Sequence, residues 1–184
     1  MAKQFEHLEP QHIAFIEKQS MYFVATAAHD GMVNLSPKGL DSFRIIDESK
    51  IIWLNLTGSG NETAAHLLEN DRMTVMFCSF DQQPLILRLY GQAVTVHPRD
   101  SQWKELIEQF PEYIGARQIF ELEISMVQTS CGFGVPLYQL KGERSTLITS
   151  DERRGKAGVE QYWIDKNILS IDGKETRILG DNPN

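Results

Sequence analysis

Short apolar segments separated by polar turns dominate the first part of the chain, and most of them alternate with the two-residue period of β-strands. Residues 21–28, MYFVATAA, are followed by the turn HDGM and the segment VNLS, a pattern typical of a β-hairpin. The segments LDSFRII and IIWLNL, separated by the polar turn DESK, predict a second hairpin. This pattern indicates a sheet built from consecutive antiparallel strands.

Three longer apolar segments, RMTVMFCSF, PLILRLYGQAVTV and ARQIFELEISMVQTS, predict further strands. In the second of them, alternation places three leucines on one face of the strand and Arg88 on the other face. Gly91 interrupts the same strand, so we expect a bulge or a bend at that position.

Helical patterns are short and occur at residues 10–19, at residues 61–70 and in the segment RDSQWKELIEQFPEY. Six or so strands with hairpin connections, and no regular alternation of strands with helices, predict a mainly β fold with helical additions, an antiparallel barrel. We expect residues 1–139 to form this domain. Residues 140–184 are more charged and less regular, and we expect them to form a C-terminal arm that packs on the barrel, with a helical pattern in GVEQYWIDKN.

Composition narrows the classes of function. With 184 residues the chain can form one domain with its own core, and its net charge of −7 argues against a nucleic-acid partner. No apolar run approaches the roughly 20 residues of a membrane helix, and the opening MAKQFEHLEP lacks the apolar stretch of a secretory signal. We therefore expect a cytoplasmic protein that has no membrane partner.

The sequence lacks the common motifs for metal binding and for hydrolysis. Its five histidines are scattered, and Cys78 and Cys131 do not have the spacing of metal ligands. No G-x-S-x-G motif occurs. We therefore expect no metal site, and no residue stands out as a general base.

Residues 55–72, NLTGSGNETAAHLLENDR, lead from a strand through a glycine-containing loop into a helix. In one interpretation this is a capped turn, in which Ser59 accepts a hydrogen bond from the first helical amides. In the other interpretation the loop and the helix N-terminus cradle a phosphate group. Lys38 in NLSPKG, and Arg88 in an apolar strand where a cation needs an anionic partner, would then converge with the loop on one phosphate.

Most of the chain carries motifs in a familiar order: FVATAAHDGMVNLSPKG, IIWLNLTGSGNETAAHLLENDRMTVMF, LRLYGQA, SCGFGVPLY and KNILSIDG. Together they resemble the pyridoxamine 5′-phosphate oxidase-like, FMN-binding split-barrel family, and in particular its branch with an SCGFGVP-type signature. The resemblance implies a six-stranded split barrel that forms a homodimer, with FMN held in two equivalent clefts between the subunits. It also implies that the segment at residues 53–66 wraps the flavin phosphate and the ribityl chain.

The resemblance also implies a set of cofactor contacts at matching positions. They are Ser36, Lys38, Asn55, Thr57, Ser59, Asn61, Thr63, Arg88, Cys131, Gly132 and Phe133. The last three belong to the branch signature, and the resemblance implies that they line the flavin ring from the partner subunit. The Arg-Lys pair that the oxidases carry at the start of the helix is replaced here by Thr63 and Ala64. The phosphate charge would therefore be balanced by Lys38, Arg88, backbone amides, hydroxyl groups and the helix dipole.

Three functional interpretations remain open at this point. The first is an FMN-dependent oxidoreductase acting on a small molecule, which needs no general base because N5 of the flavin itself accepts hydride. The second is a non-catalytic flavin-binding module for storage or sensing, since a shared fold does not by itself imply shared chemistry. The third replaces FMN by a deazaflavin or by haem, with His29 or His97 as the axial ligand. In each of them Cys131 is either a reactive thiol or a small residue required by packing.

Overall fold

The computed structural model describes residues 2–180, which contain one large antiparallel sheet. Its strands are β1 (Lys3–Phe5), β2 (Tyr22–Thr26), β3 (Asn34–Lys38), β4 (Phe43–Ile45), β5 (Lys50–Leu56), β6 (Arg72–Cys78), β7 (Ile86–Val96) and β8 (Ala116–Ser130). The helices in this part of the chain are α1 (Pro10–Ile16), α2 (Glu62–Leu67), α3 (Trp103–Ile107) and α4 (Thr146–Lys166).

The sheet curls into an open half-barrel with the strand order β3-β2-β6-β7-β8-β5-β4. The chain between β3 and β4 joins the two ends of this order. The Tyr22 hydroxyl lies 3.0 Å from Oγ of Ser42, and the Leu54 amide donates to the Ser42 carbonyl at 2.8 Å. The mainly β, antiparallel split-barrel class that the sequence predicted is confirmed.

The described residues form eight strands, whereas the resemblance implies six and the apolar segments of the sequence predict seven. The strand that the sequence did not indicate is β1, which pairs with Val127–Thr129 of β8. Strand β5 covers this edge of β8 only as far as Glu123, so the remaining edge is free to pair with another segment. The three residues of β1 have no alternating apolar pattern, and their conformation therefore depends on this long-range pairing.

One large apolar core fills the inner side of the sheet. The leucines of β7 that were expected on one face, Leu87 and Leu89, are fully buried in it, and Trp53 stacks on Phe120 with 4.5 Å between ring centroids. A second core lies on the opposite face of β5 and β8 against α3, and it includes Ile52. Strand β5 is thus buried on both faces, which explains its continuous apolar sequence.

The bulge expected at Gly91 is present. The pairing of β7 with β8 changes register between Tyr90 and Gly91. A Cβ atom on Gly91 would lie 1.8 Å from the carbonyl oxygen of Glu123, so only glycine allows the two backbones to approach this closely.

The helices differ in length from the sequence patterns. Helix α2 contains six residues and α3 five. Helix α4 contains 21 residues and is kinked at Gly155, where φ is 65°. No helix within residues 2–180 has both the length and the apolar character needed to cross a membrane. Helix α4 falls within the expected C-terminal arm, but the boundary between residues 139 and 140 stays a prediction.

Replacing Gly91 by alanine is expected to lower the free energy of unfolding by about 2–4 kcal/mol, because the new methyl group would overlap the Glu123 carbonyl. Urea unfolding of Gly91→Ala and of the wild type measures the difference. Gly134→Ala is the matched control, since a Cβ atom there would meet nothing within 4 Å. Equal stability of Gly91→Ala and Gly134→Ala would contradict the close approach at the bulge.

Candidate functional site

A row of polar side chains lines the inner face of the edge strand β3. Cross-strand pairing places Lys38 opposite Tyr22, Ser36 opposite Val24 and Asn34 opposite Thr26, and paired residues point to the same face of a sheet. Tyr22, Val24 and Thr26 are all buried. The polar row therefore points into the mouth of the half-barrel.

Lys38 reaches across this mouth to β5. Its ammonium nitrogen lies 3.4 Å from Oδ1 of Asn55 and 5.1 Å from the centre of the Trp53 ring. Asn55 in turn donates to Oε1 of Gln118 on β8 at 3.2 Å. Burial and the nearby Arg117 guanidinium lower the pKa of the Lys38 ammonium to about 8. Lys38 and Asn55 were expected in one site, and the structure brings them together.

Arg117 is a second cation at this site, and a β-bulge sets its position. The pairing of β5 with β8 passes from Asn55 opposite Gln118 to Leu56 opposite Ala116, which leaves Arg117 without a cross-strand partner. A bulge of this kind redirects the side chain of the extra residue. Arg117 is only 2% exposed, and burial lowers the pKa of its guanidinium to about 10.

The guanidinium of Arg117 is held by neutral groups. Nη1 donates to Oδ1 of Asn167 at 2.8 Å, and Nη2 donates to the Gly60 carbonyl at 3.0 Å. Its Nε is buried without a hydrogen-bond partner. The Glu62 carboxylate raises the pKa of Arg117 through space, but none of the ion pairs in residues 2–180 involves Arg117 or Lys38.

Two neighbouring cations without an ion-paired carboxylate are costly to bury, because a buried charge normally has an opposite charge beside it. Unpartnered donors lie nearby on β5 and β8. The indole N–H of Trp53 and the side-chain amide nitrogen of Gln118 are buried without an acceptor. This arrangement of positive charge and spare donors favours an anionic ligand that supplies oxygen acceptors.

The loop between β5 and α2 borders this site and is fixed by its own buried threonine. The Thr57 hydroxyl donates to the Gly115 carbonyl at 2.9 Å and accepts from the indole N–H of Trp163 at 2.8 Å. The Asn61 side chain donates to the Asn167 carbonyl at 3.4 Å, while its Oδ1 is buried without a partner. Helix α4 and the chain after it therefore lie directly against the loop.

The interpretation of this loop as a turn capped by Ser59 is wrong. Helix α2 begins at Glu62, and Asn61 occupies the N-cap position without a side-chain capping bond. Ser59 lies within the loop and its side chain is exposed. Thr63, a residue of the expected site in the first turn of α2, accepts a hydrogen bond from Asn34 at 3.3 Å, so it faces the polar row of β3. The role of the loop as a phosphate cradle stays a prediction.

Within one chain, Arg88 and Lys38 lie on opposite faces of the sheet. The prediction that the two cations converge on one phosphate is therefore wrong for a single chain. Arg88 pairs with Met76, Met76 with Phe23, and Phe23 with Pro37, so Arg88 shares its face with the residue that precedes Lys38. The two-residue side-chain period therefore places Lys38 on the opposite face. Arg88 instead donates to Oγ of Ser130 at 3.2 Å.

The signature residues Cys131, Gly132 and Phe133 follow β8 directly and lie near the Arg88 end of the sheet, apart from Lys38. Cys131 is an exposed free thiol, and Phe133 is 82% exposed. Gly132 has a φ of 64°, and a Cβ atom there would lie 3.0 Å from the amide nitrogen of Leu85. This glycine therefore fixes the turn that presents its two neighbours to the outside.

The histidines considered as haem ligands lie in different surroundings. His29 is exposed in the turn after β2. His97 is buried, and burial lowers the pKa of its imidazole to about 4. In the part of the chain that the structure describes, no group of three or more His, Cys, Asp or Glu side chains could hold a metal ion.

The curled antiparallel sheet defines the chain as a split-barrel protein. A family model described as pyridoxamine 5′-phosphate oxidase matches residues 8–131, which is more than half of the chain. The protein therefore belongs to the pyridoxamine 5′-phosphate oxidase family, as the sequence motifs indicated.

Individual relatives agree with this assignment. The pyridoxamine 5′-phosphate oxidase family protein ustO of Aspergillus flavus is 37% identical over 174 residues, covering 85% of this chain and 70% of the relative. The crystal structure of a variant of HupZ from Group A Streptococcus has a TM-score of 0.54 at 18% identity, covering 66% of this chain and 98% of that HupZ chain.

A Clostridium acetobutylicum protein related to general stress protein 26, of the pyridoxinephosphate oxidase family, has a TM-score of 0.51 at 15% identity, covering 66% of this chain and 86% of its own. At these identities the solved structures show a shared fold.

Replacing Lys38 by methionine is expected to raise the free energy of unfolding by about 1 kcal/mol at pH 7, because it removes a partly desolvated charge that has no ion-pair partner. The ordinary pKa of lysine lies above the value of about 8 in the folded protein. The charged form therefore destabilises the wild type below pH 8, and the gain of the variant should disappear as the pH rises toward 10. Thermal unfolding at pH 7 and pH 10 measures both effects.

The matched control is Lys50→Met, which removes an ammonium paired with Glu121 at 3.6 Å on the surface and should give no gain at either pH. A Lys38→Met variant less stable than the wild type at pH 7 would show that the charge of Lys38 already has a partner in the folded protein.

Proposed function

We propose that this protein binds FMN and uses it as an oxidoreductase on a small molecule. The observation that carries the proposal is the pair of a buried Arg117 and a half-buried Lys38 near the loop at residues 57–61, neither of which is ion-paired with a carboxylate of the described residues. In a chain of the pyridoxamine 5′-phosphate oxidase family, this pair replaces the missing basic residues at the start of α2. It offers the positive charge that the phosphate group of FMN requires.

The residues present fit such a group. Arg117 and Lys38 supply charge, and the spare N–H donors of Arg117, Trp53 and Gln118 are suited to oxygen acceptors. The loop also has space at Gly58, where a Cβ atom would meet nothing within 4 Å. These features favour a phosphorylated flavin over riboflavin, because an uncharged ligand would leave both cations unbalanced.

In the proposed reaction the protein binds and orients, while the flavin, when bound, supplies a site that accepts hydride from the substrate. The positive charge of Lys38 would bind the cofactor at the mouth of the half-barrel, and Asn55 would keep the Lys38 ammonium in place. No side chain at the site is assigned as a general acid or base. A flavin that binds but is never reduced would instead identify a non-catalytic storage or sensing module.

We further propose a homodimer in which the outer face of the sheet approaches the partner's site. Arg88 and the signature residues after β8 lie on this side, apart from Lys38 of the same chain. Exposed apolar side chains occur there as well, with Leu35 at 65% and Phe133 at 82% exposure. A second copy would bury these side chains and bring the partner's signature residues toward the flavin ring. The cytoplasmic location also stays a prediction.

FMN is expected to bind with an affinity that weakens about tenfold between pH 7 and pH 9, because binding of the phosphate dianion favours the charged form of Lys38, whose pKa is about 8 in the free protein. Fluorescence quenching of FMN at each pH measures the dissociation constant, and Lys38→Met should bind weakly with little pH dependence. Riboflavin serves as the ligand control, since it lacks the phosphate. A wild-type protein that leaves FMN fluorescence unchanged at every pH would overturn the proposed cofactor.

Sedimentation analysis tests the proposed dimer, and we expect a mass of two chains in the wild type. Phe133→Ser removes an aromatic ring that is 82% exposed in one chain, so it should shift the protein toward the monomer without lowering its helix and strand content. Ile171→Ser is the control, because Ile171 is 77% exposed on a different segment. A wild type that remains monomeric at all concentrations would contradict the shared site.

A further inference from the structure

Asn167, at the C-terminal end of α4, is the point where the C-terminal arm meets the candidate site. It is fully buried. Its Oδ1 accepts from Nη1 of Arg117 at 2.8 Å, and its Nδ2 donates to the Gly58 carbonyl at 3.1 Å. Its backbone carbonyl accepts from the Thr176 hydroxyl at 2.6 Å and from the Asn61 side chain at 3.4 Å. One residue thus joins the bulge of β8, the loop before α2 and the chain after α4.

The chemistry of this side chain suits the two groups that it contacts. Arg117 needs an acceptor and the Gly58 carbonyl needs a donor, and an amide supplies one of each from neighbouring atoms. An aspartate would satisfy Arg117, but it would turn a carboxylate oxygen toward the Gly58 carbonyl. It would also neutralise the guanidinium by forming an ion pair.

An amide at this position therefore holds Arg117 without cancelling its charge. The loop receives a second contact from Arg117 itself, because Nη2 of Arg117 donates to the Gly60 carbonyl at 3.0 Å. Arg117 and Asn167 together fix the loop on both sides of Ser59. The other titratable groups close to Arg117 are Glu62 and Tyr162, and Lys38 is a second cation within the range of its charge.

We propose that Asn167 is a positioning residue for the ligand site, which fixes Arg117 and the 58–60 loop while leaving the positive charge of Arg117 free to act on a bound anion. The identity of that anion as FMN rests on the proposed function, whereas the positioning role can be measured in the ligand-free protein. The C-terminal arm then contributes a residue to the ligand site, in addition to packing on the barrel.

The test uses the full-length chain and two substitutions that separate charge from contact. Asn167→Asp keeps the shape but adds the neutralising carboxylate, and Asn167→Ala removes both side-chain hydrogen bonds. In ligand-free protein, the Lys38 pKa measured by carbon-13 NMR should rise by at least half a unit in Asn167→Asp, because Arg117 no longer repels the Lys38 ammonium. Hydrogen exchange at residues 57–61 should become at least tenfold faster in Asn167→Ala.

The dissociation constant of FMN should rise at least tenfold in both variants. Asn70→Asp makes the same charge change beside the Ala27 carbonyl, at the other end of α2, and should change none of the three measurements. An unchanged Lys38 pKa in a folded Asn167→Asp protein, together with unchanged exchange in Asn167→Ala, would overturn the positioning role.

The outcomes also separate this inference from the proposed cofactor. If the wild type fails to bind FMN while the Lys38 pKa and the loop exchange change as described, Asn167 is confirmed as a positioning residue and the FMN proposal falls. If the wild type binds FMN and both variants bind it equally well with no change in loop exchange or in the Lys38 pKa, the FMN proposal holds and the role of Asn167 falls.

Discussion

The arrangement of the candidate site depends on the burial of the Arg117 guanidinium among neutral partners. A buried cation loses its hydration, and a carboxylate is the partner that most often compensates the loss. Here an amide oxygen and a loop carbonyl accept two of its hydrogen bonds instead. Lys38 then lies within the field of Arg117, so the mouth of the half-barrel is electropositive although the whole chain carries a net charge of −7.

The sequence predicts those parts of the fold that depend on neighbouring residues. Alternation in PLILRLYGQAVTV predicts the buried face of β7, and Gly91 marks the bulge because a side chain would overlap the next strand. Lys38 and Asn55 were also placed in one site, although that assignment came from the resemblance to a family and not from the alternation pattern. The mainly β class follows from the same local signals.

Features that depend on pairing between distant strands could not be read from the sequence. The convergence expected for Arg88 fails because the register of three strands places its side chain on the other face from Lys38. Arg117 was missed because its role depends on a bulge between β5 and β8. One local signal could have identified it, since Arg117 is a cation in an apolar strand, the same argument that was applied to Arg88.

The position of β3 at the edge of the sheet has a consequence for how copies of this protein can associate. An edge strand exposes unpaired backbone groups on one side, and these groups can pair with a strand of another molecule and extend the sheet into aggregates. Pro37 lies within β3 and has no N–H to donate, which is tolerated because one side of an edge strand has no partner. Proline thereby interrupts the row of donors, and it disfavours continuous sheets that run from one molecule into the next.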